Sequence, residues 1–141
     1  MAKTGYQWLP GPVGECLKPA SLATTAAVPI SPSTTLIYTT THLGLDLETC
    51  ELVNDTIEGE FEAIFNCLDA ALKNAGATRG CGDAHKFTSY LIKAEYEPTM
   101  QEVFKRRWPG NTPTWATVIV SSINIPSAHA EIAAEGAIYH E

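Results

Sequence analysis

Two glutamates on a strand, a histidine at a strand end and a tryptophan at a strand mouth are the residues of this chain best placed to do chemistry. Glu131 and Glu135 lie in AHAEIAAEGAIY, where Ala130, Ile132, Ala134, Gly136 and Ile138 share one face and the two carboxylates take the other. Four residues apart, they stand about 13 Å from each other along the strand, beyond the roughly 5 to 9.5 Å between the paired carboxylates of glycoside hydrolases. Sugar cleavage therefore has no support, and each is either solvated or a lone acid or base whose pKa burial raises. His42, in the TTTHLG turn, could hold a substrate or transfer a proton, with a locally hydrogen-bonded surface histidine as the equal alternative. Trp115 shares a strand face with Thr117 and Ile119 and either caps the core or a subunit contact, or walls a pocket for a planar ligand.

Other chemistries lack their residues. Cys16, Cys50, Cys67 and Cys81 form no CxxC pair and read as reduced thiols, while His85, His129 and His140 are too dispersed for a ligand set, so no metal is expected. ATRGCGDAH has neither GxGxxG nor a GK[ST] ending, and no G-x-S-x-G elbow is present. Sixteen acidic against nine basic side chains, net charge -7, oppose nucleic acid and anionic membrane as partners. No apolar run approaches a spanning helix and the N-terminus has no apolar signal region, which predicts a cytoplasmic protein.

The elements that must position these residues belong to one domain, 1–141, headed by a Pro/Gly-rich segment, 1–33, in which only a short strand over residues 22–28 is expected. TTLIYTT reads as a strand, and HLGLDLETCELV as a two-stranded excursion ending near Val53. DTIEGEFEAIFNCLDAALKNAG reads as a helix, with Asp55 as N-cap, a stripe of Ile57, Phe61, Ile64, Phe65, Leu68 and Leu72, and Gly76 as its stop. A strand at 85–94 and a second helix in YEPTMQEVFKRRW follow, with Pro98 in its first turn, and then two strands, WATVIVSS and AHAEIAAEGAIY. The order predicts an α+β domain with one mixed sheet, hairpins at its beginning and end, and two helices on one face. Its other face then needs cover, which small alternating residues make suitable for self-association.

LIYTTTHLGLDLETCELV, the helix end DAALKNAG, YEPTMQEVF and TPTWATVIV, in this order and spacing, resemble the RidA/YjgF family, also called L-PSP endoribonucleases, over Leu36 to Tyr139, roughly three quarters of the chain. The resemblance implies a chorismate-mutase-like subunit that assembles as a homotrimer, with ligand pockets at the interfaces and cofactor-free hydrolysis of enamines and imines such as 2-aminoacrylate. In such members an arginine in a P-A-R motif clamps the substrate carboxylate. Here the matching residues are Pro113, Thr114 and Trp115, and an indole offers no fork of donors.

Thr40, Thr41 and His42 stand where the family reads Ser-Gly-Gln, Thr117 where it has a cysteine, and Glu131 where it has its pocket glutamate, with Glu135 reached by another gap placement. The resemblance thus implies Glu131 and His42 as catalytic residues and Trp115, Thr41, Thr117 and Glu135 as substrate contacts. The expected function is hydrolysis of a reactive small metabolite other than 2-aminoacrylate. An isomerase or cyclase using the same proton transfer, and a trimeric metabolite binder without catalysis, are the alternatives.

Overall fold

A computed structural model describes residues 3–141. The N-terminal segment holds more structure than its prolines suggest: strand β1 (Gly5–Gln7), helix α1 (Pro12–Leu17) and strand β2 (Thr25–Ser31). Pro12 does not break α1, because it sits in the first turn, where its missing N–H costs nothing. The expectation of a single strand and of only two helices is thereby corrected. Strand β3 (Thr34–Thr39) follows, then an excursion closed by one bridge between Leu45 and Leu52, then helix α2 (Ile57–Asn74).

Thr56, one residue beyond the expected Asp55, caps α2, its hydroxyl accepting from Gly59 N–H at 2.9 Å. Gly76 ends the helix at φ +110°, a conformation that carries no steric penalty for glycine. Strand β4 (Ala84–Leu91), helix α3 (Glu97–Arg107) with Pro98 in its first turn, strand β5 (Thr114–Ile119) and strand β6 (Ala130–Tyr139) complete the chain.

All six strands join one mixed sheet in the order β1-β2-β3-β6-β4-β5, antiparallel except for the β4–β5 pair. The closing strands do not form the expected hairpin. β5 pairs in parallel with β4 at the sheet edge, and the chain returns to insert β6 between β3 and β4.

Register assigns every side chain to a face. Ile37 opposite Gly136, Phe87 opposite Ala134 and Trp115, and Ser89 opposite Ile132 point to one side, where Phe61, Ile64, Phe65, Leu68 and Leu72 of α2 and Met100, Val103 and Phe104 of α3 cover them. A stripe of this kind removes each large side chain from water, worth roughly 1.5–3 kcal/mol apiece before chain entropy is counted. The opposite face presents Ala26, Leu36, Tyr38, Ala133, Ala116 and Val118, none of which belongs to the core cluster that α2 and α3 cover among the described residues. Tyr38 is 38% and Val118 42% exposed.

Candidate functional site

The open face is where the carboxylates stand. Glu131 lies opposite Tyr90, and Glu135 lies between Tyr38 of β3 and Lys86 of β4. Lys86 Nζ approaches Glu135 Oε2 at 3.9 Å, a loose and half-exposed pair that adds little stability. Glu131 is half-buried among small and aromatic neighbours, and loss of water raises its carboxyl above the ordinary value. The start of β6 is in turn anchored from the helix side. His129 donates its backbone N–H to Glu60 Oε2 at 2.8 Å and its Nδ1–H to Oε1 at 2.7 Å, with Glu60 1% exposed. Sequence reasoning missed this pair, although Glu60 falls between Ile57 and Ile64 at helical spacing, on the apolar stripe itself.

A cleft of about 550 Å³ opens on the β1–β2–β3 side, lined in part by Tyr38, the cross-strand neighbour of Glu135. Tyr6, Trp8, Leu22 and Tyr38 give it an apolar wall, and Thr39 and Thr40 are among the residues that complete its lining. Tyr6, Ala26 and Tyr38 are cross-strand neighbours on the open face, so the cleft and both glutamates lie on the same side of the sheet. Trp8 is held by its indole N–H, which donates to Leu22 O at 2.8 Å. Such walls suit a planar or apolar ligand body, with few polar groups to orient it.

The other expected site residues lie elsewhere. The Tyr38–Glu135 register would put Thr41 opposite Ile132, but His42 occupies that place in a backbone bridge, with His42 N–H donating to Ile132 O at 2.8 Å. One extra residue in the Thr40–His42 segment therefore turns the imidazole to the Ile132 side and into the core. His42 is 2% exposed, Nε2 has no hydrogen-bond partner, and burial lowers its pKa to about 4. Within one chain this imidazole is closed from solvent and does not share the open face with the two glutamates. Thr41, the next residue back, is half-exposed.

Trp115 and Thr117 also face the helices, opposite Phe87 and Ser89. The indole stacks on Phe87 with centroids 4.6 Å apart and planes 23° apart, meets Phe104 and Phe65 edge-on at 5.1 and 6.3 Å, and donates Nε1–H to Ser89 Oγ at 2.7 Å. Within one chain the sheet thus separates Trp115, Thr117 and His42 from Glu131 and Glu135. Among the described residues no three His, Cys, Asp or Glu side chains converge on a point that could hold a metal ion, and no helix is long and apolar enough to cross a membrane.

Burying His42 has a thermodynamic consequence. Its folded pKa lies below the unfolded value near 6.5, so the unfolded chain binds the proton first. The stability that a neutral His42 provides is complete above pH 6.5 and is lost as pH falls toward 4, amounting to about 3 kcal/mol at most. Urea unfolding at pH 7 and pH 4.5 is expected to show this loss in wild type and a smaller one in His42→Gln; equal losses in the two proteins would remove His42 as the cause.

The sequence matches the Endoribonuclease L-PSP family over residues 20–138. No curated protein matches it. Among solved structures, RidA from an Antarctic Psychrobacter shares 26% identity, covering 80% of this chain and 85% of its own, with a TM-score of 0.66. E. coli TdcF, solved with bound serine, shares 20% identity over 96% and 98% of the two chains at a TM-score of 0.70. The yeast protein YEO7 shares 14% over 99% and 100% at 0.80.

Proposed function

The chain belongs to the RidA/YjgF (Endoribonuclease L-PSP) family, and from that membership together with the open-face glutamate we propose that it hydrolyses an enamine or imine of a reactive small metabolite without a cofactor. The observation that carries this reading is Glu131, a half-buried carboxyl with a raised pKa on the same side of the sheet as the aromatic cleft. As a carboxylate it takes a proton from water as the oxygen attacks the imine carbon. It then returns that proton to the nitrogen of the resulting carbinolamine and carries the hydroxyl proton to the same nitrogen as the C–N bond breaks, so that ammonia or an amine leaves and a carbonyl product remains. Burial suits both halves, because a carboxyl poised nearer neutrality exchanges its proton more evenly than a solvated one.

Substrate choice follows from what the site lacks. Trp115 stands at the position of the carboxylate-clamping arginine, and Lys86 is the one cation paired with an open-face carboxylate among the described residues. The substrate is accordingly a metabolite with an aromatic or apolar body rather than a small anionic imino acid. Serine, which TdcF holds, belongs to the class this cleft suits poorly. A homotrimer that stacks open faces together would cover Tyr38 and Val118 and bury Glu131 further. RNA is disfavoured as a substrate by the net charge of -7.

The full chain, incubated with carboxylate-free aromatic imines and separately with freshly generated 2-aminoacrylate, is expected to accelerate carbonyl release only in the first case. Native mass is expected near 46 kDa, from about three 15.2 kDa chains. Control rates on every imine would replace hydrolysis by ligand binding alone, product formation without amine release would point to an isomerase or cyclase, and a stable monomer would remove the interface from the site.

A further inference from the structure

Cys16 and Cys50, 34 residues apart, meet at the surface where α1 packs against the excursion that follows β3. Their sulfurs lie 2.9 Å apart in a thiol–thiol hydrogen bond, with Cys16 exposed and Cys50 partly buried. A disulfide has its sulfurs about 2.05 Å apart, so the pair needs less than an ångström of closure. The approach is built by the backbone. Cys50 sits at φ +64°, a left-handed position uncommon for a residue with a side chain, and is held there by its N–H donating to Asp46 O at 2.8 Å. Asp46 fixes the same turn with its carboxylate, which accepts from the N–H groups of Glu48 and Thr49 at 2.9 and 3.0 Å. Cys67 and Cys81 are buried and have no cysteine partner, so they are internal controls.

We propose that Cys16 and Cys50 are an oxidisable thiol pair that closes reversibly into an intrachain disulfide on exposure to a low-molecular-weight disulfide. Exposed Cys16 attacks first. Its sulfur displaces one thiol from the oxidant, giving a mixed disulfide on Cys16. Cys50, whose thiol burial raises to about 11, keeps its proton until the second displacement, when its sulfur bonds to Cys16 and the proton leaves with the second thiol. Two electrons pass from the cysteine pair to the oxidant, which is reduced to two thiols. The product ties α1 to the turn at residues 46–50. Since α1 lies in sequence between Trp8 and Leu22, the bond also restrains the chain that walls the aromatic cleft.

Full-length protein treated with oxidised glutathione is expected to lose two of its four titratable thiols after denaturation and about 2 Da of intact mass relative to the reduced chain. A peptide map should join the Cys16 peptide to the Cys50 peptide within one chain. Closing a loop of this length is expected to raise Tm by about 5–10 °C, reversed by dithiothreitol. Cys50→Ser should stop at a glutathione adduct on Cys16, and Cys16→Ser should retain all its thiols. Four thiols surviving in wild type, a lasting glutathione adduct on wild-type Cys16, or a bond between chains on a non-reducing gel would each overturn the proposal. None of these outcomes depends on the hydrolase reading.

Discussion

Glu131→Gln is expected to lower kcat/KM on a cleft-compatible imine by about 10²- to 10³-fold while leaving the fold at least as stable as wild type at pH 7. The rate loss is the size typical of removing one positioned general acid–base group. That stability is not lost follows from the direction of the pKa shift. Because burial raises the carboxyl of Glu131, the folded chain holds its proton more tightly than the unfolded chain does. That preference stabilises the fold fully below the unfolded pKa and is lost as pH rises through the folded one, so at neutral pH the ionised group contributes nothing that a neutral amide would remove. Wild-type kcat/KM should fall below the raised pKa, where the base is protonated, and the residual rate of the variant should lose that limb. Urea unfolding and a pH–rate profile on the same preparations check both halves. Full activity in Glu131→Gln with an intact native mass would exclude Glu131 as the proton carrier and turn attention to Glu135 on the same face.

The elements visible in the sequence are those whose own composition decides them. The α2 stripe of Phe61, Ile64, Phe65, Leu68 and Leu72 is recoverable because helix period and burial coincide, and β6 because its alternation separates the glutamates from the apolar set. Glu131 and Glu135 therefore reach the open face as their spacing implies. What was not legible depends on partners distant in the chain. The turn of His42 into the core needs the Ile132 bridge, one residue out of step with the β3–β6 register. Trp115 reads as core or interface residue or as pocket wall until β4 is known to run beside β5 and bring Phe87 against it. The aromatic cleft is assembled from β1, the 21–23 stretch and β3, whose approach no local pattern encodes. The same limit hid the Cys16–Cys50 contact.

Trp115→Arg is expected to destabilise the chain by about 3–5 kcal/mol, near the cost of truncating a core tryptophan, and to lower Tm by on the order of 10 °C. The indole is partly buried, which leaves an arginine stem a route toward water, but its replacement removes three aromatic contacts at once. A guanidinium stacks on Phe87 more weakly than an indole that also meets Phe65 and Phe104 edge-on, because a desolvated cation among these rings keeps little of its hydration. Ser89, fully buried, also loses the donor that its hydroxyl accepts at 2.7 Å. Trp115→Phe keeps the stacking and loses only the hydrogen bond and part of the area, so it should fall between the two. The arginine also returns the P-x-R pattern that the family resemblance associates with carboxylate clamping. Yet within the chain it starts on the helix side, with the sheet between it and Glu131, so 2-aminoacrylate is expected to turn over at the no-protein rate. Thermal melts and native mass measured beside ammonia release separate the possibilities. A gain of rate on 2-aminoacrylate would mean that a neighbouring chain brings its Glu131 to this edge, and an unchanged Tm would mean that the aromatic cluster holds the fold without the indole.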